Sequence, residues 1–424
     1  GLVVTGIIQS SSATTVMVVG FVNAGLMKLT QAVGIIMGAN IGTTVTGQLV
    51  SFKLEAYVPV AVGIGVIVLM VSKQSKTKQI AQILVGFGIL FVGMEFLKEA
   101  LKPLREIPAF QDAMINLGAN PILGVLIGFG LTFMVQSSSA SIGMLIALAT
   151  QGVLPLAAAI PILYGDNIGT CTTALIASIG ATKNAKRAAI MHLSFNIIGT
   201  LIFMLFLTKP ITYLVTMLNP DDIARQIANT HTFFNIINVL IQLPFSFILV
   251  KIAMFIIPDK GEEEKQRLTQ YIDYRILETP TIAISTTIRE VIHMSKVVRE
   301  SIEASMASVL KGSEEEAQQT YQLEKKINQL EKDITEYLVA LSNRDIGDHD
   351  RVIVDGLFNN VNGIERIGDH ADNIAELSLS AMEQKVAFSS DALSELQDLY
   401  KKALHSFDLA ISAMETGNID FAHQ

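Results

Sequence analysis

A short hydroxyl-rich stretch occurs twice in this chain, inside sequence that is otherwise apolar. The first copy reads Gln9-Ser10-Ser11-Ser12-Ala13-Thr14-Thr15, and the second Gln136-Ser137-Ser138-Ser139-Ala140-Ser141. A further polar cluster follows each copy. These are Gly38-Ala39-Asn40-Ile41-Gly42-Thr43-Thr44 and Gly165-Asp166-Asn167-Ile168-Gly169-Thr170-Cys171-Thr172. Gln9 and Gln136 are 127 positions apart, and so are Asn40 and Asn167. Two independent matches at one offset mark a duplicated unit. The chain must therefore place polar breaks at matching points of two apolar halves.

Charge divides the chain sharply. Up to Ile257 there are 14 Lys and Arg against 8 Asp and Glu, and from Pro258 onward 17 against 31. The first part, net positive and dominated by apolar runs, reads as membrane-embedded. The second, acidic and amphipathic, reads as a soluble helical domain. This balance gives no basis for a nucleic-acid role. Cys171 is the single cysteine, which excludes an intrachain disulfide and any multi-cysteine metal site. No signal peptide is recognisable: the chain opens in apolar sequence without a basic lead-in.

A helix needs roughly 20 apolar residues to cross a hydrocarbon core. Candidate segments are 13–27, 29–50, 57–72, 79–101, 121–135, 139–151, 155–180, 185–207 and 229–257. Several are short, and the polar clusters lie inside or between them. That predicts broken helices or re-entrant hairpins, since irregular backbone at membrane depth needs protein or water to satisfy it. Repeat one is expected over about 1–72, repeat two over about 84–207 and a closing helix over about 229–257. Residues 84–135 precede the second Gln, against eight residues before the first. Equal repeats would put about 40–50 further residues ahead of Gly1.

Basic loops give orientation. The clusters Lys73, Lys76, Lys78 and Lys183, Lys186, Arg187 are both expected on the cytoplasmic side. Subtracting 127 maps 183–187 onto 56–60, so one repeat has its basic loop before the equivalent helix and the other after it. The two copies are thus expected to run in opposite directions, with sites near the bilayer midplane. Residues 185–207 then lead outward, 208–228 lie outside, and 229–257 return.

Ser and Thr hydroxyls, the Gln carbonyl and freed backbone carbonyls are hard oxygen ligands suited to sodium. Hydroxyl hydrogens and free N–H groups at a half-helix N-terminus can hold an anion. Gly42 and Gly169 permit close backbone approach or an unwound turn. Asp166 is a carboxylate inside the apolar part, where its counterpart is Ala39. Such a group is expensive in a membrane and is a functional candidate, able to lend charge to a cation site. Two further motifs, His192-x-x-Phe195-Asn196 and His231-x-x-Phe234-Asn235, are 39 positions apart. Their His and Asn are expected to bond between helices.

The paired Gln-Ser-Ser-Ser motifs, the Asn-Ile-Gly-Thr clusters and the His-x-x-Phe-Asn segment resemble the type II sodium–phosphate cotransporter family over about 1–257. The resemblance implies sodium-coupled uptake of inorganic phosphate across a plasma membrane, with both motifs forming the sites. Phosphate is then expected at Gln9, Ser10, Ser11, Thr14, Asn40, Gln136, Ser137, Ser138, Ser141 and Asn167. Sodium is expected at Ser12, Thr43, Thr44, Ser139, Asp166, Thr170 and Thr172.

The stretch from Pro258 to Lys265 begins a linker, expected over 258–281. Four amphipathic helices are expected at 282–311, 314–343, 349–384 and 389–416, as a bundle. In the segment Glu365-Arg366-Ile367-Gly368-Asp369-His370-Ala371-Asp372, Glu365 and Asp369 share a helix face. By spacing alone this is a solvated acidic face. It resembles the signature of PhoU domains, three-helix bundles with surface metal clusters whose motif is an acidic residue, three others, then Asp. The resemblance implies a divalent or ferric ion at Glu365, Asp369, Asp372 and Glu324, although Asn328 stands where the earlier copy needs Asp. It also implies a cytoplasmic regulatory role over 282–424. A partial match of 308–317 to 412–422 makes a second bundle, cut at Gln424, the expectation.

The reading is an all-α, polytopic membrane protein with two inverted repeats, broken helices and a PhoU-like bundle. It is a secondary transporter rather than an enzyme. Two alternatives are a sodium symporter for another small anion, and a membrane-anchored phosphate or metal sensor without transport. A serine hydrolase is disfavoured, since no Gly-x-Ser-x-Gly elbow occurs and neither His lies in a context that suggests a base. Assembly as a homo-oligomer is left open.

Overall fold

The computed structural model describes residues 1–52, 57–258 and 268–423. Residues 259–267 of the expected linker lie outside the described residues. The described chain is all-α, with no strand among the described residues. Contacts divide it into two units, Gly1–Val22 with Met27–Lys260 and Asn23–Leu26 with Gly261–Gln424.

The first unit contains α1 (Leu2–Ile8), α2 (Ser11–Asn23), α3 (Leu29–Val50), α4 (Val58–Val71), α5 (Ser75–Leu101), α6 (Pro108–Ala119) and α7 (Pro121–Val135). It continues with α8 (Ser138–Thr150), α9 (Leu156–Gly169), α10 (Cys171–Ala177), α11 (Lys183–Ile202), α12 (Thr208–Leu218), α13 (Ile223–Gln242) and α14 (Ser246–Ile256). Pro at the first turn starts α4, α6 and α7, where a missing N–H costs nothing. Asn120, Thr182 and Asp222 cap α7, α11 and α13 by accepting from backbone N–H groups.

Among the described residues, four helices are long and apolar enough to cross a membrane: Leu29–Val50, Lys76–Leu104, Lys183–Leu218 and Ile223–Ile256. Four apolar helices are shorter, namely α2, α4, α7 and α8. A 13-residue helix such as α2 or α8 rises only about 20 Å, short of the ~30 Å hydrocarbon core. The short helices therefore work in joined pairs: α1 meets α2 at Gln9, and α7 meets α8 at Gln136.

Two expectations need correction. The candidate segment 185–207 does not end at 207, because helix continues to Leu218 and resumes at Ile223. Pro210 does not break it, since the π-helical stretch Phe203–Leu207 shifts the bonding pattern just ahead of the proline. The Thr208 N–H reaches back five residues to Phe203 O. Arg187 is not a solvated loop cation either. It is buried on α11 and donates twice to Ile257 O, at 3.0 and 2.8 Å, and once to Asn184 Oδ1. It thereby fills the free carbonyl end of α14.

In the second unit α15 (Pro280–Lys311), α16 (Glu314–Ser342) and α17 (Asp348–Glu383) all pack on one another as a three-helix bundle. Buried Val291, Val298, Ile327, Leu330, Ile334, Val354 and Val361 form its core. α18 (Ser390–Thr416) lies against α15, tied by Arg299 to Asp408 at 2.9 Å, and α19 (Asp420–His423) follows. The paired segments at 312 and 417 are alike: each is a left-handed Gly ending a helix, Gly312 with φ 64° and Gly417 with φ 68°.

Candidate functional site

The duplicated motif produces the same backbone bend twice. Gln9 has φ 60° and ψ 25°, and Gln136 has φ 55° and ψ 24°. Both are left-handed, which a Gln side chain disfavours and which here lets the short helix before it turn into the one after it. Each bend is held by the same bond: Gln9 N–H donates to Thr5 O and Gln136 N–H to Thr132 O, both at 2.7 Å. Thr5 and Thr132 are themselves 127 apart. Their hydroxyls reach across the bend to equivalent partners, Thr5 to Thr14 at 2.9 Å and Thr132 to Ser141 at 3.1 Å. The second clusters close on these hairpins through glycine. A Cβ on Gly42 would lie 2.6 Å from Thr5 Cβ, and one on Gly169 2.7 Å from Thr132 Cβ. Close approach, not unwinding, is the role of Gly42, since α3 is continuous through it. Only in the second copy does the helix divide, at Thr170.

Hydrogen-bond direction sorts the hydroxyls by chemistry. Ser10 Oγ accepts from Ala13 N–H and Ser137 Oγ from Ala140 N–H, as helix caps. Their own hydrogens remain for an anion, next to the first N–H groups of α2 and α8. Thr43, Thr44, Thr170 and Thr172 instead donate to backbone carbonyls three or four residues earlier, at 2.7–3.1 Å. Each then presents only oxygen lone pairs, the requirement for a cation ligand.

The two copies touch through Thr46. Its hydroxyl donates to Gln9 Oε1 at 2.5 Å, and Ser139 Oγ donates to Thr46 at 3.3 Å. Ser11, Thr14, Ser138 and Ser141 are buried, whereas Gln136 is exposed and stands outside this chain of contacts. Asp166 is 1 % exposed. Thr132 bonds its Oδ1, and Oδ2 has no partner among the described residues. A buried carboxylate without a counter-charge is strongly unfavourable in an apolar setting, so this donor set fits a cation.

Around this region the interior carries further unpaired polar atoms. Asn40 Nδ2, Asn196 Oδ1, Asn235 Oδ1, Asn238 Nδ2, His192 Nδ1 and both ring nitrogens of His231 have no partner among the described residues. His192 Nε2 lies 3.4 Å from Asn40 Oδ1, and Asn196 reaches Cys171 Sγ at 3.2 Å, so this motif does bond between helices. Asn235 instead donates to His231 O of its own helix. Asn167 likewise bonds its own helix, at Leu163 O. So many unpaired buried groups are costly when dry and point to an interior that takes up water or ions.

Thr5, Thr46 and Thr132 were not singled out from sequence. Their signal was available, because Thr5 pairs with Thr132 and Thr46 with Thr173 at the same offset of 127.

On the second unit, Glu324 of α16 faces Asp369 and Asp372 of α17. Partial burial, then the Asp369 charge, push its carboxyl up to about 7, against a smaller opposing bond from Asn328. Glu365 is raised by burial and by Asp369 and Glu331, and Asp372 by burial and by Glu376 and Asp369. Among the described residues no group of three such side chains stands close enough to hold a metal.

A membrane transporter is the class that this duplicated, half-buried polar arrangement defines. Sequence comparison agrees: the Na+/Pi-cotransporter family matches residues 1–99 and 104–238, and the PhoU domain matches 291–378. The chain belongs to the Na+/Pi-cotransporter family. It is 27% identical over 428 residues to "Putative inorganic phosphate export protein YjbB" of Salmonella typhimurium, covering 100% of this chain and 78% of that one. It is 32% identical over 259 residues to the uncharacterized protein YqeW of Bacillus subtilis, covering 61% of this chain and 83% of that one. It is 33% identical over 138 residues to the mouse sodium-dependent phosphate transport protein 2C, covering 31% and 21%. No solved structure matches the chain.

Proposed function

We propose that the chain moves inorganic phosphate across a cell membrane in symport with sodium, using both copies of the duplicated motif. The observation that carries this is the matched pair of left-handed bends at Gln9 and Gln136, with their first turns bridged through Thr46. Phosphate is held by Ser10, Ser11, Ser137 and Ser138 with the N-termini of α2 and α8, supported by Gln9, Gln136, Thr14, Ser141, Asn40 and Asn167. Sodium is held by Asp166 with Thr43, Thr44, Thr170, Thr172, Ser12 and Ser139. The two copies run in opposite directions through the bilayer, and alternating exposure of their shared site moves the substrate. Residues 1–257 are the transport domain, and 282–424 the cytoplasmic domain that regulates it. Glu324, Glu365, Asp369 and Asp372 of that domain offer an oxygen-rich face for a divalent or ferric ion.

A second reading has a specific observation behind it. Relatives matched over this whole chain are named for phosphate export. Symport with an inward sodium gradient drives uptake, so export requires a different driving ion or none. Phosphate flux in proteoliposomes, measured in both directions with and without a sodium gradient, separates the two. Sodium-stimulated flux in the direction of the gradient supports symport, and indifference to sodium defeats it. Gln9→Gly and Gln136→Gly keep the left-handed bend while removing the side chain. Both are expected to reduce phosphate flux by about tenfold or more. Unchanged flux in both would remove the motif from the site.

A further inference from the structure

The second unit contains a cavity of about 730 Å³ that neither transport nor the acidic face uses. Arg289, His293 and Lys296 of α15 line it. Spaced by four and three residues, they fall on one helix face and span about 10 Å. Arg289 and Lys296 are exposed and have no ion-pair partner among the described residues. Glu415 is the acidic side chain on the lining, exposed at the rim. The cavity is therefore net positive, within a domain that is strongly acidic.

Part of this lining is fixed by buried bonds. Glu290, on α15 and fully buried, accepts from the backbone N–H groups of Gln270, Tyr271 and Ile272, at 2.5–3.1 Å. His293 Nε2 lies 3.2 Å from Leu268 O. These bonds fix the segment that carries Tyr271, whose ring meets the His293 ring edge-on at 6.4 Å. Ile288 and Met414 add apolar surface beside it. The lining thus brings the aromatic and apolar Tyr271, Ile288 and Met414 together with the cations Arg289 and Lys296, at a volume typical of small-ligand sites.

We propose that this cavity binds a nucleotide bearing two or more phosphates. The base lies against Tyr271 and the Ile288 and Met414 side chains, and the phosphates lie along Arg289 and Lys296. Guanidinium and ammonium groups without partners suit such oxygens, Arg in bidentate fashion and Lys as a point charge. A single orthophosphate would engage only part of this lining.

Radiolabelled ATP, in equilibrium dialysis against the full chain in lipid nanodiscs, is the probe. ATP is expected to bind and to be displaced by ADP, but not by orthophosphate at equal concentration. The double variant Arg289→Ala with Lys296→Ala should weaken ATP binding by about tenfold or more, while Glu415→Gln tightens it. Tyr271→Ala should weaken ATP and leave pyrophosphate unaffected. Both cations are exposed, so the double variant should melt at the wild-type temperature, and its loss of binding then reads the site. Absence of ATP binding, or binding indifferent to the double variant, overturns the proposal. Pyrophosphate binding as tightly as ATP overturns the nucleoside half of it. Phosphate flux does not enter these readouts, so the result stands apart from the transport reading.

Discussion

The two copies of the duplicated unit share a backbone and differ in chemistry. The bend at Gln9 and that at Gln136 agree within about 5° in φ and ψ, and the hydroxyl bridge behind each has the same partners at the same offset. Yet the first copy places Ala39 where the second places Asp166, and Thr44 where the second has Cys171. The first keeps α3 whole, while the second divides at Thr170. Gln9 is half-buried and tied to Thr46, whereas Gln136 is exposed. Backbone shape is thus the repeated property, set by a Gln in a left-handed bend and by glycines that admit close approach. Charge is the property that has diverged. A pair of sites alike in shape and unlike in charge can hold an anion between them while placing the cation on one side.

The hardest test of the shared backbone is at the glycine contacts. A Cβ on Gly165 would sit 1.9 Å from Val125 O and 2.8 Å from Phe129 N, both backbone atoms that cannot swing aside. At the equivalent Gly38 a Cβ would lie 2.9 Å from Leu2 N, the counterpart of Phe129 N. Gly165→Ala and Gly38→Ala are each expected to cost about 1–3 kcal/mol or more. Thermal unfolding in detergent checks both. A loss at one of the two positions alone would mean that the two hairpins are not packed alike.

The charge difference is probed by Asp166→Asn, which keeps size and the Thr132 contact but removes the negative charge. It is expected to raise the sodium concentration for half-maximal phosphate flux by about tenfold or more, equivalent to ~1.4 kcal/mol. Phosphate affinity at saturating sodium should change much less. A sodium response identical to wild type would take Asp166 out of the cation site and leave the two copies functionally even.

A smaller effect separates the hydroxyl bridges. Thr14→Val strands the Thr5 hydroxyl, which is fully buried with Thr14 as its partner. That loss should cost about 1–2 kcal/mol. Ser141→Ala leaves Thr132 bonded to Asp166, so under about 1 kcal/mol is expected. Chemical denaturation in mixed micelles reads the difference. A larger loss for Ser141→Ala would show that the Asp166 bond does not substitute for it.

Much of this was legible because the polar motifs interrupt apolar sequence. The offset of 127 placed both bends and both glycine clusters, and α3 has the expected bounds 29–50. Thr46 was not legible, since a lone Thr in an apolar helix is more often a packing residue than a bridge. The helix across 208–218 was missed because Lys209-Pro210 looks like a breaker, and a π-turn that rescues it leaves no sequence signal. The burial of Arg187 was hidden for a different reason. Its partner, the Ile257 carbonyl, is 70 residues away and belongs to the backbone, which composition does not report.

The second unit repeats the comparison at lower stakes. Glu365 is followed four residues later by Asp369, and Glu324 by Asn328, so one face has lost a carboxylate. Burial first, and then the charges of Asp369 and Asp372 across the helix interface, nonetheless hold the Glu324 carboxyl up at about 7 from an ordinary 4.5. A folded-state pKa above the unfolded one means that the folded domain binds this proton more tightly. Its contribution is fully present below about pH 4.5 and is lost as pH rises through 7. Wild type should therefore lose melting temperature relative to Glu324→Gln between pH 5 and pH 8, by about a few degrees. A divalent cation at pH 8 should restore it in wild type and not in the variant, because the ion neutralises the same repulsion. If the two proteins keep a constant gap across that range, Glu324 is not electrostatically coupled to Asp369, and the Asn328 copy has simply lost its acidic role.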